Sequence, residues 1–295
     1  MNTGLDVRVA IRDANEVFGR FPARICLPYV LLGLLSVTVE AWIQLDNHPP
    51  EDEKSFLYFL IVMVLCFISF WLYCFIEVVV STMYLRAREG EEPGTKQVGE
   101  AWQYRGFASL AGGLLLRCLG WGVLVGLSFG LILIFAGIFS EAANTGTTSG
   151  VGAAAGGVGH GIAIGVGATV GVAFVAVVTL IYCRYMFIFP MYAIERGAGR
   201  GFLDECVRRT KTVLKTAAWV QIVGMIPACL IVGVEMLARR HWTPPLGGHI
   251  AIELAVALVN GCYAAWFMLV KTGLARQLMS VPPAPLEPIE DGAAI

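Results

Sequence analysis

Charge is what this chain has little of. Asp, Glu, Lys and Arg make up 15% of its 295 residues, where a soluble domain carries about 25%. A fully hydrated globule is thereby excluded, and with 57% hydrophobic residues the missing polar surface has to face lipid. Two soluble-enzyme signatures are missing too: no GxxxxGK[ST] loop and no HExxH occurs. The stretch from Gly150 to Gly167 is glycine-rich but lacks the basic residue and strand context that a phosphate cradle needs. No CxxC pair exists among the cysteines, which leaves a thiolate zinc site without support; they read as small apolar fillers. The chain does not open with a basic stretch, short apolar core and small-residue cleavage site, so the first apolar run is expected to remain in the mature protein.

What is present is a series of long apolar runs. Six segments, roughly 25–45, 56–85, 107–139, 162–192, 216–237 and 249–275, meet the length of about 20 residues that a 30 Å hydrocarbon core demands. They lack the alternation of barrel strands, and backbone in lipid must bond to itself, so they are expected to be helices. The expected fold class is all-α, a polytopic membrane protein with six transmembrane helices joined by short amphipathic helices. Of the basic residues, only Lys54, Arg239 and Arg240 fall in the outer gaps. The rest lie in the alternate gaps or toward the span ends that flank them, which by the positive-inside rule puts both termini in the cytoplasm of an inner-membrane protein.

Three regions follow: a cytoplasmic amphipathic segment over 1–24, a six-span domain over 25–279 and a proline-rich tail over 280–295 that is expected to be disordered. A three-hairpin repeat is suggested by amphipathic segments at Val7 to Arg20, Thr95 to Arg105 and Arg200 to Lys215, each leading into an outward span. In the last, Phe202, Leu203, Cys206, Val207, Thr210, Val213 and Leu214 share helical spacing while Arg208, Arg209, Lys211 and Lys215 lie largely elsewhere on the wheel. That pattern suits a helix at the inner headgroup level, its cations toward anionic lipid, and equally a cytoplasmic helix packed on neighbouring loops. Small-residue rows at Gly122, Gly126 and Gly130 and at Gly157, Gly161 and Gly165, with Gly167 and Gly171 offset, are expected to let helix backbones pack closely.

The run from Phe189-Pro190 through Glu195-Arg196-Gly197 into Phe202-Leu203-Asp204-Glu205 and Arg208-Arg209-Thr210 resembles the signature of a family of six-span prokaryotic membrane proteins. These are similar to the membrane domain attached to some glycerophosphodiester phosphodiesterases. The family's usual Ser after the basic residues is Thr210 here. The resemblance implies the six-span architecture and assigns no activity. A phosphodiesterase catalytic domain would require a barrel of a few hundred residues, and no gap between the apolar runs has that length.

Three charges are embedded: Glu77, Arg117 and Arg184. Counted along the helix from flanking arginines, each lies about 13–18 Å inside the inner boundary. Lone charges at such depth are costly, so Glu77 is expected to pair with Arg117 or Arg184, leaving the other arginine for an anion or lipid headgroup. The histidines all fall on the outer side. His249 and Glu253, one helical turn apart, form the best metal candidate, a weak one against solvated loop histidines. No cofactor is implied, and the basic residues lie against the membrane rather than in a nucleic-acid-binding stripe. The first reading is a non-enzymatic membrane protein that binds lipid, a membrane partner or a second copy through its bundle and elbow helices. The second is a small transporter or channel with a polar path through Glu77, Arg117 and Arg184. A membrane-embedded enzyme ranks last, because no nucleophile or acid/base pair stands out.

Overall fold

A computed structural model describes residues 5–45, 52–121, 123, 177, 179–199, 201–241 and 246–280. It is all-helical, and the chain forms two compact units, Met1–Phe107 with Tyr185–Ile295, and Ala108–Arg184. The helices are α1 (Val7–Arg20), α2 (Pro22–Leu45), α3 (Asp52–Arg88), α4 (Thr95–Trp102), α5 (Phe107–Trp121), α6 (Ile188–Glu195), α7 (Phe202–Thr212), α8 (Leu214–His241) and α9 (Leu246–Ser280).

Among the described residues, three stretches are long and apolar enough to cross a membrane: Met63–Arg88, Leu214–Ile231 and Ile250–Ser280. A fourth is reached if the bent pair Val7–Arg20 and Pro22–Leu35 counts as one span. This is a membrane protein. The expected third and fourth spans fall largely outside the described residues, as do the proline-rich tail beyond Ser280 and every residue of the two glycine rows.

Local chemistry sets the first bend. Asp6 caps α1, its carboxylate accepting from the Val9 N–H at 3.1 Å, an ordinary N-cap arrangement. Pro22 then starts α2; proline favours the first helical position and has no N–H to continue the preceding helix. The chain turns through 92° there, which lays the amphipathic α1 across the end of the apolar helix. Its buried face is Ala10, Ala14 and Val17, one stripe at helical spacing.

A second break departs from the sequence reading, in which one span ran unbroken to residue 192. Helix over 179–185 gives way to a turn at 186–187, and α6 restarts at Ile188. Pro190 is the physical cause: it lacks the N–H that would bond to residue 186, and its ring clashes with that carbonyl. Near the start of α6 the missing donor costs nothing. α6 ends at Arg196, held left-handed at φ 56°, ψ 34°. Among the described residues it is the one non-glycine with positive φ, a conformation that costs of order 1–3 kcal/mol.

In the first unit the core gathers toward the basic ends of the long helices. Tyr84 and Val78 from α3, Ile188, Met191 and Tyr192 from α6, and Met268, Leu269 and Leu274 from α9 are fully buried. Toward the other ends large apolar side chains are exposed, among them Leu31, Met63, Phe67, Leu230, Val234 and Leu258. Such surface is tolerable only against lipid. The most extensive helix pair is α2 with α9. There a Cβ on Gly33 would lie 3.1 Å from the Ala257 Cβ, and one on Gly261 3.1 Å from the Val30 backbone nitrogen. Close backbone approach through small residues is therefore present, at positions that sequence reading did not select.

The second unit is described by α5 from Ala108 and by helix over 179–184. Leu110, Ala111, Leu114 and Cys183 are buried, while Leu116, Leu119 and Trp121 are exposed.

Candidate functional site

Glu77 and Lys271 form a buried ion pair. Lys271 Nζ donates to Glu77 Oε1 at 2.6 Å, with side-chain exposures of 4% and 5%. Lys271 also lies 5.8 Å from the Phe267 ring centre, a cation–π distance. One turn along, Ser81 Oγ and Thr272 Oγ1 are 3.0 Å apart, and each also reaches the carbonyl four residues back in its own helix. The sequence reading had the right carboxylate and a different partner. Arg117 and Arg184 belong to the second unit, where Arg117 is half-buried and Arg184 exposed. In the sequence Lys271 stands near the end of the apolar run 249–275, where hydropathy reads it as a flank. In fact α9 continues to Ser280, which places it about 13 Å of helix inside that end.

The amphipathic helices carry their own charge networks. α1 is tied to α3 by Arg88, whose Nη2 lies 3.3 Å from Asp13 and Nη1 3.9 Å from Glu16. It is tied to α9 by Gln277, whose amide accepts from the Asp6 N–H and donates to the Asp6 carbonyl. α4 is tied to α3 by a two-pronged contact from Arg86 to Glu100, at 3.1 and 2.6 Å. That bond holds the Glu100 carboxyl below its usual range, against a smaller upward push from burial. In α7 the face read as apolar is buried at Phe202, Cys206, Val207 and Thr210. Arg208 and Arg209 both pair with Glu205, at 2.6 and 2.7 Å. Burial raises the Glu205 carboxyl, but the two arginines together pull it below normal. Lys211 and Lys215 are exposed.

Among the concavities of the first unit, two have charged residues at one end or in their walls. One, of about 220 Å³, is walled by four arginines, Arg86, Arg88, Arg196 and Arg276, with Glu89, Glu100 and Tyr104. Its edge is set by the segment that carries the family resemblance: Arg105 and Gly197 form an isolated parallel bridge. The Ala198 N–H donates to the Arg105 carbonyl at 3.0 Å, and the Tyr192 hydroxyl donates to the same oxygen at 3.1 Å. Gly106 is required there, with φ +82° and the Ala198 carbonyl 2.7 Å from where a Cβ would stand. Sequence reading missed Arg196 and Arg276; the Arg-Gly step after an apolar helix was the available signal.

The other, of about 850 Å³, is an apolar groove between α2 and α3, lined by Leu27, Leu31, Leu35, Leu72, Phe75 and Val79. It closes on the first turn of α4 with Arg24, Glu92 and Lys96 at that end. Arg24 bonds Glu92 at 2.7 Å and the Pro93 carbonyl at 3.2 Å.

No group of three or more metal-ligating side chains occurs among the described residues. The His249 side chain lies outside them, so the pairing with Glu253 is left as a sequence expectation. Comparison of the chain with protein-family models, with characterised proteins and with solved structures gives no match.

Proposed function

We propose that this chain is a non-enzymatic inner-membrane protein, both termini cytoplasmic, that holds an anionic phospholipid. The observation that carries the reading is the groove between α2 and α3. Its walls are leucine and phenylalanine, and its polar end carries two cations, Arg24 paired with Glu92 and the largely exposed Lys96 3.7 Å from Glu91. An acyl chain suits the walls, because it replaces no hydrogen bond there. A phosphodiester suits the end, since cations near the membrane surface attract anionic lipid by about 1 kcal/mol each. The exposed Lys211 of α7 and Lys215 at the start of α8 add to the same attraction. The six-span family resemblance belongs to this proposal as architecture.

The test is native mass spectrometry of the protein released from mild detergent. Phosphatidylglycerol should be retained over phosphatidylcholine, and Arg24→Gln with Lys96→Gln should remove the preference. Equal retention of both lipids by the unaltered protein would defeat the reading.

A second reading, a small transporter, is favoured by one observation, the Glu77–Lys271 pair with the Ser81 and Thr272 hydroxyls beside it. Intramembrane ion pairs commonly mark ion or proton paths. Proton flux into proteoliposomes that disappears with Glu77→Gln would select it.

A further inference from the structure

The arginine-walled cavity at the basic end of the first unit holds two guanidiniums with open hydrogen-bonding capacity. Arg86 is spent on Glu100 and Glu89, with Glu91 at 3.8 Å. Arg88 faces Asp13 and Glu16. Arg196 and Arg276 make no hydrogen bond or ion pair among the described residues, yet both line the cavity. The two carboxylates in its wall, Glu89 and Glu100, are hydrogen-bonded to Arg86, and Glu100 also feels the Arg196 charge without bonding to it. Arg196 is moreover fixed in a left-handed conformation that glycine, not arginine, adopts readily. A side chain kept at a strained position where a relaxed one would fold better points to a role in binding.

We propose that this cavity binds a phosphate group through Arg196 and Arg276. Planar guanidiniums suit phosphate oxygens as two-pronged donors. At about 30 Å³ per water, 220 Å³ takes a tetrahedral phosphate with a few waters around it. The proposal does not rest on the lipid groove, which is lined by other residues. The phosphate has two sources, a soluble phosphate compound or a phosphomonoester lipid headgroup, and the chemistry of the site is the same for both.

The test uses the full chain. In neutral detergent, thermal unfolding is followed against inorganic phosphate, with chloride at matched ionic strength as control. In nanodiscs, phosphatidic acid is compared with phosphatidylcholine. A saturable stabilisation by inorganic phosphate assigns a soluble source; stabilisation by phosphatidic acid alone assigns a lipid source; either supports the site. Arg276→Gln and Arg196→Gly should each weaken the response at least tenfold. Arg196→Gly should also unfold no lower than the unaltered protein when phosphate is absent, which a purely structural arginine would not allow. The site is refuted if neither probe exceeds its control, or if both variants respond as the unaltered protein does.

Discussion

Lys271 of α9 reaches across to Glu77 of α3 at 2.6 Å, joining two helices 194 positions apart in sequence through charges that are almost wholly enclosed. Removing one partner strands the other, and for buried pairs that costs about 3–5 kcal/mol. Glu77→Gln or Lys271→Met alone should therefore lower thermal stability sharply in detergent. The double variant should recover part of the loss. Additive losses in that cycle would mean the two charges act independently.

Acid should loosen the α3–α4 junction. The Arg86 bond lowers the Glu100 carboxyl below its usual value of 4.5, so its contribution is complete above about pH 4.5. It fades as pH falls further, through the depressed folded-state value. Glu100→Gln should remove that component of the acid transition while leaving neutral-pH secondary structure intact. Amide exchange over residues 95–102 against pH reads it directly.

Two glycine substitutions should have opposite signs. Gly261→Ala puts a methyl 3.1 Å from the Val30 backbone nitrogen, where no flexible side chain can yield; overpacking of this kind costs about 1–3 kcal/mol. Gly99→Ala, inside α4 with nothing within 4 Å of the new Cβ, should stabilise by about 0.5–1 kcal/mol. Thermal unfolding of the two variants side by side makes the comparison.

Lipid attraction at the α7–α8 junction should come from the lysines, Lys211 of α7 and Lys215 of α8. Arg208 and Arg209 are bonded to Glu205, so Lys211→Gln and Lys215→Gln should reduce retention of anionic lipid more than the two arginine changes do. Glu205→Gln should increase it by freeing both guanidiniums. Native mass spectrometry resolves the series.

The orientation is testable independently of any site. In a background cleared of native cysteines, a membrane-impermeant maleimide added outside should label Thr147→Cys and not Thr95→Cys. The opposite pattern would invert the topology.

Periodicity and charge placement made much of this architecture readable before any coordinates. The apolar face of α7 and the burial of Glu77 followed from spacing and from the cost of charge in lipid. Other features depended on information that no local pattern carries. Lys271 looked like a membrane-edge residue because the apolar run fades near it, although the helix itself continues to Ser280. The break before α6 was signalled by Pro190, but hydropathy alone merged both sides into one span. The Glu205 clamp on Arg208 and Arg209 depends on rotamers, and a helical wheel does not resolve those. Arg196 and Arg276 converge only through tertiary packing of α6 and α9.

The two bonds between Asp6 and the Gln277 amide link positions 271 apart in the chain. α1 is synthesised well ahead of α9, so its seat there does not exist until the later helix has been made and inserted. Until then Ala10, Ala14 and Val17 lack the protein face that covers them. Docking of α1 thus follows the insertion of α9, and a nascent chain stalled between the two would carry α1 undocked.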